Sequence, residues 1–133
     1  MTPASLTAET FDKLSDAAWR VRERAKIIGN TAVGCAVMDE SGRVFVGCNI
    51  EHRFRSHDVH AEVAALSSMV SSGGGRAVAV FIAARRQKFT PCGSCLDWIF
   101  ELGGEECLVL CQSEPATHPT SYFARDLMPH YPY

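Results

Sequence analysis

Two short stretches of the 133-residue chain carry side chains that do chemistry together. One is His60-Ala61-Glu62 and the other is Pro91-Cys92-Gly93-Ser94-Cys95. An imidazole nitrogen and two thiolates are a standard donor set for Zn²⁺. Three protein ligands leave a fourth position for water, which separates a catalytic zinc from a closed structural one. Glu62, two residues from His60, then stands as the acid/base that carries protons to and from that water. A structural zinc would need a fourth protein ligand and would give Glu62 no task. Without a metal, Cys92 and Cys95 would be small core residues, and the histidine and glutamate would be left unexplained.

The surrounding residues say what positions these groups. Asp58 reads as an N-cap, and Val59, Val63, Leu66 and Val70 recur behind it at helical spacing, so His60 and Glu62 fall in a first helical turn. Thr90-Pro91 reads as the N-cap and first position of a second helix, running to about Leu102 and stopping at Gly103-Gly104. Cys92 and Cys95, three apart, share one face of its first turn. Two helix N-termini therefore meet at the metal, where unpaired N–H groups and positive dipole ends favour thiolates and a carboxylate. Gly73-Gly74-Gly75, the one low-complexity tract, ends the first of these helices as a flexible surface turn.

The remaining segments supply a scaffold. Residues 1–6 are a tail. Over residues 7–28, Phe11, Leu14, Ala18, Val21, Ala25 and Ile28 step by three or four, predicting an amphipathic helix that Gly29-Asn30 ends, with Trp19 bordering its buried stripe. Residues 33–38 and 43–48 are strand-like runs joined by Asp39-Glu40-Ser41-Gly42, an antiparallel hairpin. Residues 49–59 form a polar loop. Residues 77–84 are a nearly continuous apolar run, which predicts a central strand buried on both faces. Residues 107–111 form another buried strand, parallel to it because a helix intervenes. Residues 120–128 suggest a short helix. The pattern is a single α/β domain spanning 1–133, a three-layer α/β/α sandwich with a mixed sheet of about five strands.

Composition excludes several function classes. Apolar residues make up 47% of the chain, which suits a globular core. The net charge is −2, which gives no general footprint for a polynucleotide. The basic clusters Arg20, Arg22, Arg24, Lys26 and Arg85, Arg86, Lys88 read as a solvated helix face and a polar loop. No apolar run approaches a membrane span. The six cysteines come without a secretory signal, so a disulfide framework is a poor reading. Cys35, Cys48, Cys107 and Cys111 are expected as reduced core residues, and the cytoplasm as the location.

H-x-E followed by P-C-x-x-C is the zinc deaminase signature. On these motifs the chain resembles the cytidine deaminase superfamily over about residues 29–110. It is most similar to the free-nucleoside branch, which includes the cytidine and blasticidin S deaminases. Gly47-Cys48-Asn49-Ile50-Glu51 matches that branch's G-x-N-x-E, Val33-Gly34-Cys35-Ala36 looks like its V-G-A-A strand, and Leu127-Met128-Pro129 looks like its L-L-P segment. The resemblance implies that Asn49 and Glu51 bind the sugar hydroxyl and that the Ala61 backbone hydrogen-bonds the base. It also implies a homo-oligomer, a tetramer or a dimer, with a C-terminal aromatic (Phe123, Tyr131 or Tyr133) over a neighbour's site.

Two departures stand out. The branch usually reads C-A-E-R and P-C-G-x-C-R, with three cysteine ligands offset by arginines. Here the first ligand is neutral His60, two thiolates balance the metal, and the arginine positions are Val63 and Leu96. Ligand and neighbours have changed together, as a working site requires. Secondly, Thr31 stands where the branch has an aromatic against the pyrimidine. Plain cytidine is then a weaker expectation than the chemistry, unless His52, Phe54 and His57 refill the wall.

The expected activity is hydrolytic deamination of an aminated nucleoside: cytidine, deoxycytidine or a bulkier cytidine analogue. In that reaction the Cys92 backbone N–H faces the developing oxygen charge. The alternatives are another aminated heterocycle (a blasticidin-like compound or a purine base), a tRNA adenosine, or a non-catalytic zinc domain that binds a partner. The net charge and the Asn49/Glu51 pair speak against the polynucleotide, and an open coordination position beside Glu62 speaks against the non-catalytic domain.

Overall fold

A computed structural model of the chain describes residues 6–132. Five strands form one mixed sheet: β1 (Val33–Asp39), β2 (Val44–Cys48), β3 (Ala77–Ala84), β4 (Leu108–Gln112) and β5 (Thr120–Phe123). Their order is β2-β1-β3-β4-β5; β3 and β4 run parallel and the other neighbours antiparallel. Helix α1 (Ala8–Arg22) covers one face, where Leu14 and Ala18 pack on Ala36, Phe81 and Leu110. Helices α2 (Ala61–Ser71) and α3 (Gly93–Gly103) cover the other, around Val37, Val80, Ile82 and Val109. The three layers and the central position of β3, buried on both faces, are those expected. No helix among the described residues is long and apolar enough to cross a membrane.

Two close approaches fix the layers. A Cβ on Gly34 would overlap the Ala18 carbonyl oxygen, so the absence of a side chain lets α1 lie against β1. A Cβ on Gly47 would overlap the backbone nitrogen of Ala65, so the same economy seats α2 on β2. Both glycines belong to the motifs quoted above.

Several boundaries differ from expectation for identifiable reasons. α1 ends at Arg22, not at Ile28. After turn bonds from the N–H groups of Glu23, Arg24 and Ala25 to carbonyls three residues back, Lys26 makes strand-type bonds: its N–H donates to the Asn49 carbonyl at 3.1 Å, and Glu51 N–H donates to the Lys26 carbonyl at 2.7 Å. Ile28 is 59% exposed, so its place in the apolar period is incidental. In residues 120–128 the first half is β5, where Thr120 pairs with Cys111 and Phe123 with Leu108; only Ala124–Leu127 is helical (α4). The pull of the β4 edge and the β-forming Thr, Tyr and Phe outweigh helical spacing there.

The triple glycine is tied down rather than loose. Gly75 N–H donates to Asp39 Oδ2 at 2.9 Å, and Arg76 N–H to Glu40 Oε1 at 3.2 Å. Asp39 Oδ1 also accepts from the N–H groups of Ser41 and Arg43, closing the hairpin turn. These bonds, Gly75 first, hold the Asp39 carboxyl at about 2, well below its ordinary range.

Trp19 is pinned between the two basic clusters, with the guanidiniums of Arg22 and Arg85 5.5 and 5.2 Å from its ring centroid and its indole N–H donating to Gln112 Oε1. The described aromatics of the C-terminal segment pack on their own chain. Tyr131 stacks on Phe100 at 4.2 Å between ring centroids, and Phe123 joins the α1-side core. Tyr133 lies outside the described residues.

Candidate active site

The two expected helix starts do meet, with a shift in the caps. His60 is itself the N-cap of α2, and Cys92 the N-cap of α3, each with extended backbone and no side-chain capping bond. Asp58, expected as a cap, instead accepts from His52 N–H at 2.7 Å and from Arg55 Nε at 2.9 Å. Thr90-Pro91 precede the cap of α3 rather than forming it. The consequence is chemical: an N-cap side chain that does not bond its own helix is free to turn toward a common centre. The stripe of α2 also rotates. Ala61, Glu62, Ala65, Leu66 and Met69 are buried, whereas Val59 and Val70 are exposed.

His60 Nδ1 lies 3.2 Å from Cys95 Sγ and 3.4 Å from Cys92 Sγ, and the three donor atoms fall within 4.8 Å of one another. Bond lengths of about 2.3 Å to sulfur and about 2.0 Å to nitrogen put tetrahedral donors roughly 3.5 Å apart. The cluster therefore fits Zn²⁺ in both donor type and spacing. Its electrostatics agree. Burial first, then the Glu62 carboxylate and Cys92, push the Cys95 thiol well above the usual range. A divalent cation is what makes a thiolate tolerable there.

Glu62 points inward at the same place. It is only 7% exposed, and burial raises its carboxyl above the ordinary range, offset in part by its own backbone N–H, by His60 and by a hydrogen bond from the Cys95 thiol. Cys35, on β1 beneath it, is a fully buried thiol pushed up by desolvation and then by Glu62.

A cleft of about 250 Å³ opens over this group. That lies below the roughly 300–1,000 Å³ of drug-sized sites, and suits one small ligand. Thr31, Asn49, Glu51, His60, Ala61, Glu62 and Cys92 all line it. Asn49 and Glu51, however, are already engaged. Asn49 Oδ1 accepts from Val33 N–H at 2.8 Å and its Nδ2 donates to the Thr31 carbonyl at 2.9 Å. Glu51 Oε1 accepts from the N–H groups of Ile28 and Gly29 at 2.6 and 2.8 Å, bonds that lower its carboxyl, and Oε2 pairs with Arg55 at 2.9 Å.

Two cleft residues, Phe89 and Arg55, were not singled out from sequence, and Arg86 was read there only as part of a polar basic loop. Phe89 supplies an aromatic wall, and Arg55 and Arg86 supply cations. His52, Phe54 and His57 do not line the cleft; they cluster with each other, at ring separations of 4.9 to 6.1 Å. The available signal for Phe89 was its place directly before Thr90-Pro91-Cys92. Arg55 gave none beyond its charge.

A mixed sheet between helices, with one histidine and two cysteines at two helix starts beside a buried glutamate, defines the class of zinc-dependent deaminase domains. Residues 8–111 match the family described as the cytidine and deoxycytidylate deaminase zinc-binding region. The chain belongs to this family. It is 37% identical to the cytidine deaminase of Mycobacterium tuberculosis (strain H37Rv) over 79 residues, 59% of each chain, so the match spans less than two thirds of that relative's length. In structure it resembles the crystallised M. tuberculosis cytidine deaminase, with a TM-score of 0.76 and 30% identity over 90% of this chain and 94% of that one. The cytidine deaminase of Burkholderia pseudomallei superposes with a TM-score of 0.82 and 28% identity, covering 94% and 98% of the respective chains.

Proposed function

We propose that this protein is a hydrolytic deaminase that releases ammonia from an aminated nucleoside. The observation that carries the reading is the buried carboxylate of Glu62 beside a His60-Cys92-Cys95 cluster, at the floor of a small cleft. His60 Nδ1 and the sulfurs of Cys92 and Cys95 hold zinc, which when bound supplies Lewis acidity that lowers the pKa of a water toward neutrality. Glu62 accepts the proton of the attacking water and delivers it to the ring nitrogen of the amidine-like unit. A C–O bond forms at the carbon bearing the exocyclic amine. Glu62 next moves the second water proton to that amine, the C–N bond breaks, and ammonia leaves. The Cys92 backbone N–H is assigned to the developing oxygen charge, and the Ala61 backbone to the edge of the base.

On substrate, Phe89 is available as one apolar wall while Thr31 leaves another small and polar. Cytidine and deoxycytidine are the first candidates, and a ring-substituted cytidine fits the space beside Thr31. An ammonia-release screen over cytidine, deoxycytidine and ring-substituted analogues tests this in wild type and Thr31→Phe. The substituted analogues should lose preference in the variant. An unchanged profile would mean that Thr31 does not face the base.

The protein is also proposed to be a cytoplasmic homo-oligomer, a tetramer or a dimer. Free thiols suit a reducing compartment. Self-association is supported by an apolar groove between α2 and α3, where Val70 is 56% and Trp98 47% exposed beside Val63 and Leu102.

A further inference from the structure

We infer that Trp19, on the face of the sheet opposite the cleft, is a positioning residue for the substrate, fixing two segments of the cleft wall from behind; the inference rests on the reading of the cleft as the substrate site. Side chains alternate between the two faces of a strand, and both segments follow that rule. At the start of β1, Thr31 and Val33 line the cleft. Ala32, between them, is held from the other side: its carbonyl accepts from Arg22 Nε, on α1, at 3.0 Å. At the end of β3, Ile82, Ala84 and Arg86 line the cleft, while Phe81 and Ala83 join the core under α1. Arg85 continues that second row, with its guanidinium over the Trp19 ring. Val33 and Ala84 are direct partners across the two strands, so the two wall segments lie side by side.

Trp19 joins the two segments. The guanidinium carbons of Arg22 and Arg85 sit 5.5 and 5.2 Å from its ring centroid, within the reach of a cation–π contact. Two cations repel one another, so their meeting at one ring makes the ring the attractive partner. The ion pair of Arg85 with Glu114, at 3.6 Å between two exposed side chains, contributes little. The indole itself is anchored. Its N–H donates to Oε1 of Gln112, a residue only 1% exposed, and the same oxygen accepts from Ser15 Oγ at 2.7 Å. Gln112 Nε2 donates in turn to the Thr117 carbonyl at 2.7 Å. A fixed ring thus holds Arg22, which holds Ala32 between Thr31 and Val33, and it holds Arg85 between Ala84 and Arg86. His60, Glu62, Cys92 and Cys95 belong to the starts of α2 and α3, outside these contacts. The clamp therefore bears on how substrate is held and not on proton transfer.

Steady-state kinetics and hydrogen exchange on the zinc-loaded protein test this together. Arg85→Gln removes one cation from the ring at an exposed side chain. KM for the aminated nucleoside that wild type turns over best should rise about two- to thirtyfold, the worth of one cation–π contact, with kcat and zinc content little changed. Amides in both 31–33 and 84–86 should exchange faster. Arg85→Lys, which returns a cation to the ring, should recover most of both effects. Trp19→Leu should reproduce them, and adding Arg85→Gln to it should change neither segment further. If Trp19→Leu does not fold, recovery by lysine decides. An unchanged KM in Arg85→Gln would overturn the inference. So would faster exchange confined to 84–86, a lysine variant no better than the glutamine one, or a uniform rise in exchange across the sheet, which marks a merely structural residue. Absence of ammonia release from wild type strikes the deaminase reading instead, and the clamp is then decided by hydrogen exchange alone.

Discussion

Glu62 is the side chain to which we assign the proton transfers, because it combines burial, a neighbouring donor cluster and a cleft. Its carboxyl is raised by desolvation, so it holds and releases protons nearer neutrality than a surface glutamate. Glu62→Gln keeps the shape and removes the proton traffic. It should retain zinc and fold while turnover falls by about 10²–10⁴, the usual weight of general acid–base catalysis. Steady-state kinetics with parallel metal analysis checks this, and substantial residual turnover would assign the acid/base role elsewhere. The convergence of His60, Cys92 and Cys95 beside Glu62 was legible in sequence because ligand chemistry is local to a motif. The cap positions were not, since Asp58 is recruited by His52 and Arg55, and bonds across a loop leave no periodic trace.

Helices and strands were legible where burial is regular. β3 and the β1–β2 hairpin follow from continuous or alternating apolar runs and turn residues. Residues 23–29 and 120–123 were misread because partners distant in sequence, Asn49, Glu51 and β4, decide their conformation. The Asp39 turn is another long-range junction, joining the hairpin to the lead-in of β3. Its carboxyl sits at about 2 in the folded chain against an ordinary 3.8. A depressed pKa contributes stability above the ordinary value, and that contribution is lost as pH falls through the folded one. Asp39→Asn should thus be less stable than wild type at neutral pH, and the gap should close between about pH 4 and pH 2. Thermal melts of both proteins across that window check it; a constant gap would mean that the ionised form is not what the turn uses.

Across the whole molecule, α1 seals one face of the sheet, while α2 and α3 both frame the cleft and leave an apolar groove on their outer side. Such a groove is costly to leave wet, so a second copy is its expected cover. Sedimentation should show an oligomer for wild type and a shift toward smaller species for Trp98→Glu; a monomeric wild type would contradict the assembly proposal. The central claim, hydrolytic deamination at a zinc site, is tested most directly by turning over an aminated nucleoside in ¹⁸O-labelled water and measuring ammonia and product mass together. The account predicts one labelled oxygen in the product for each ammonia released, with both signals lost when zinc is removed and restored when it is returned. Ammonia without the label, or release indifferent to zinc, would contradict it.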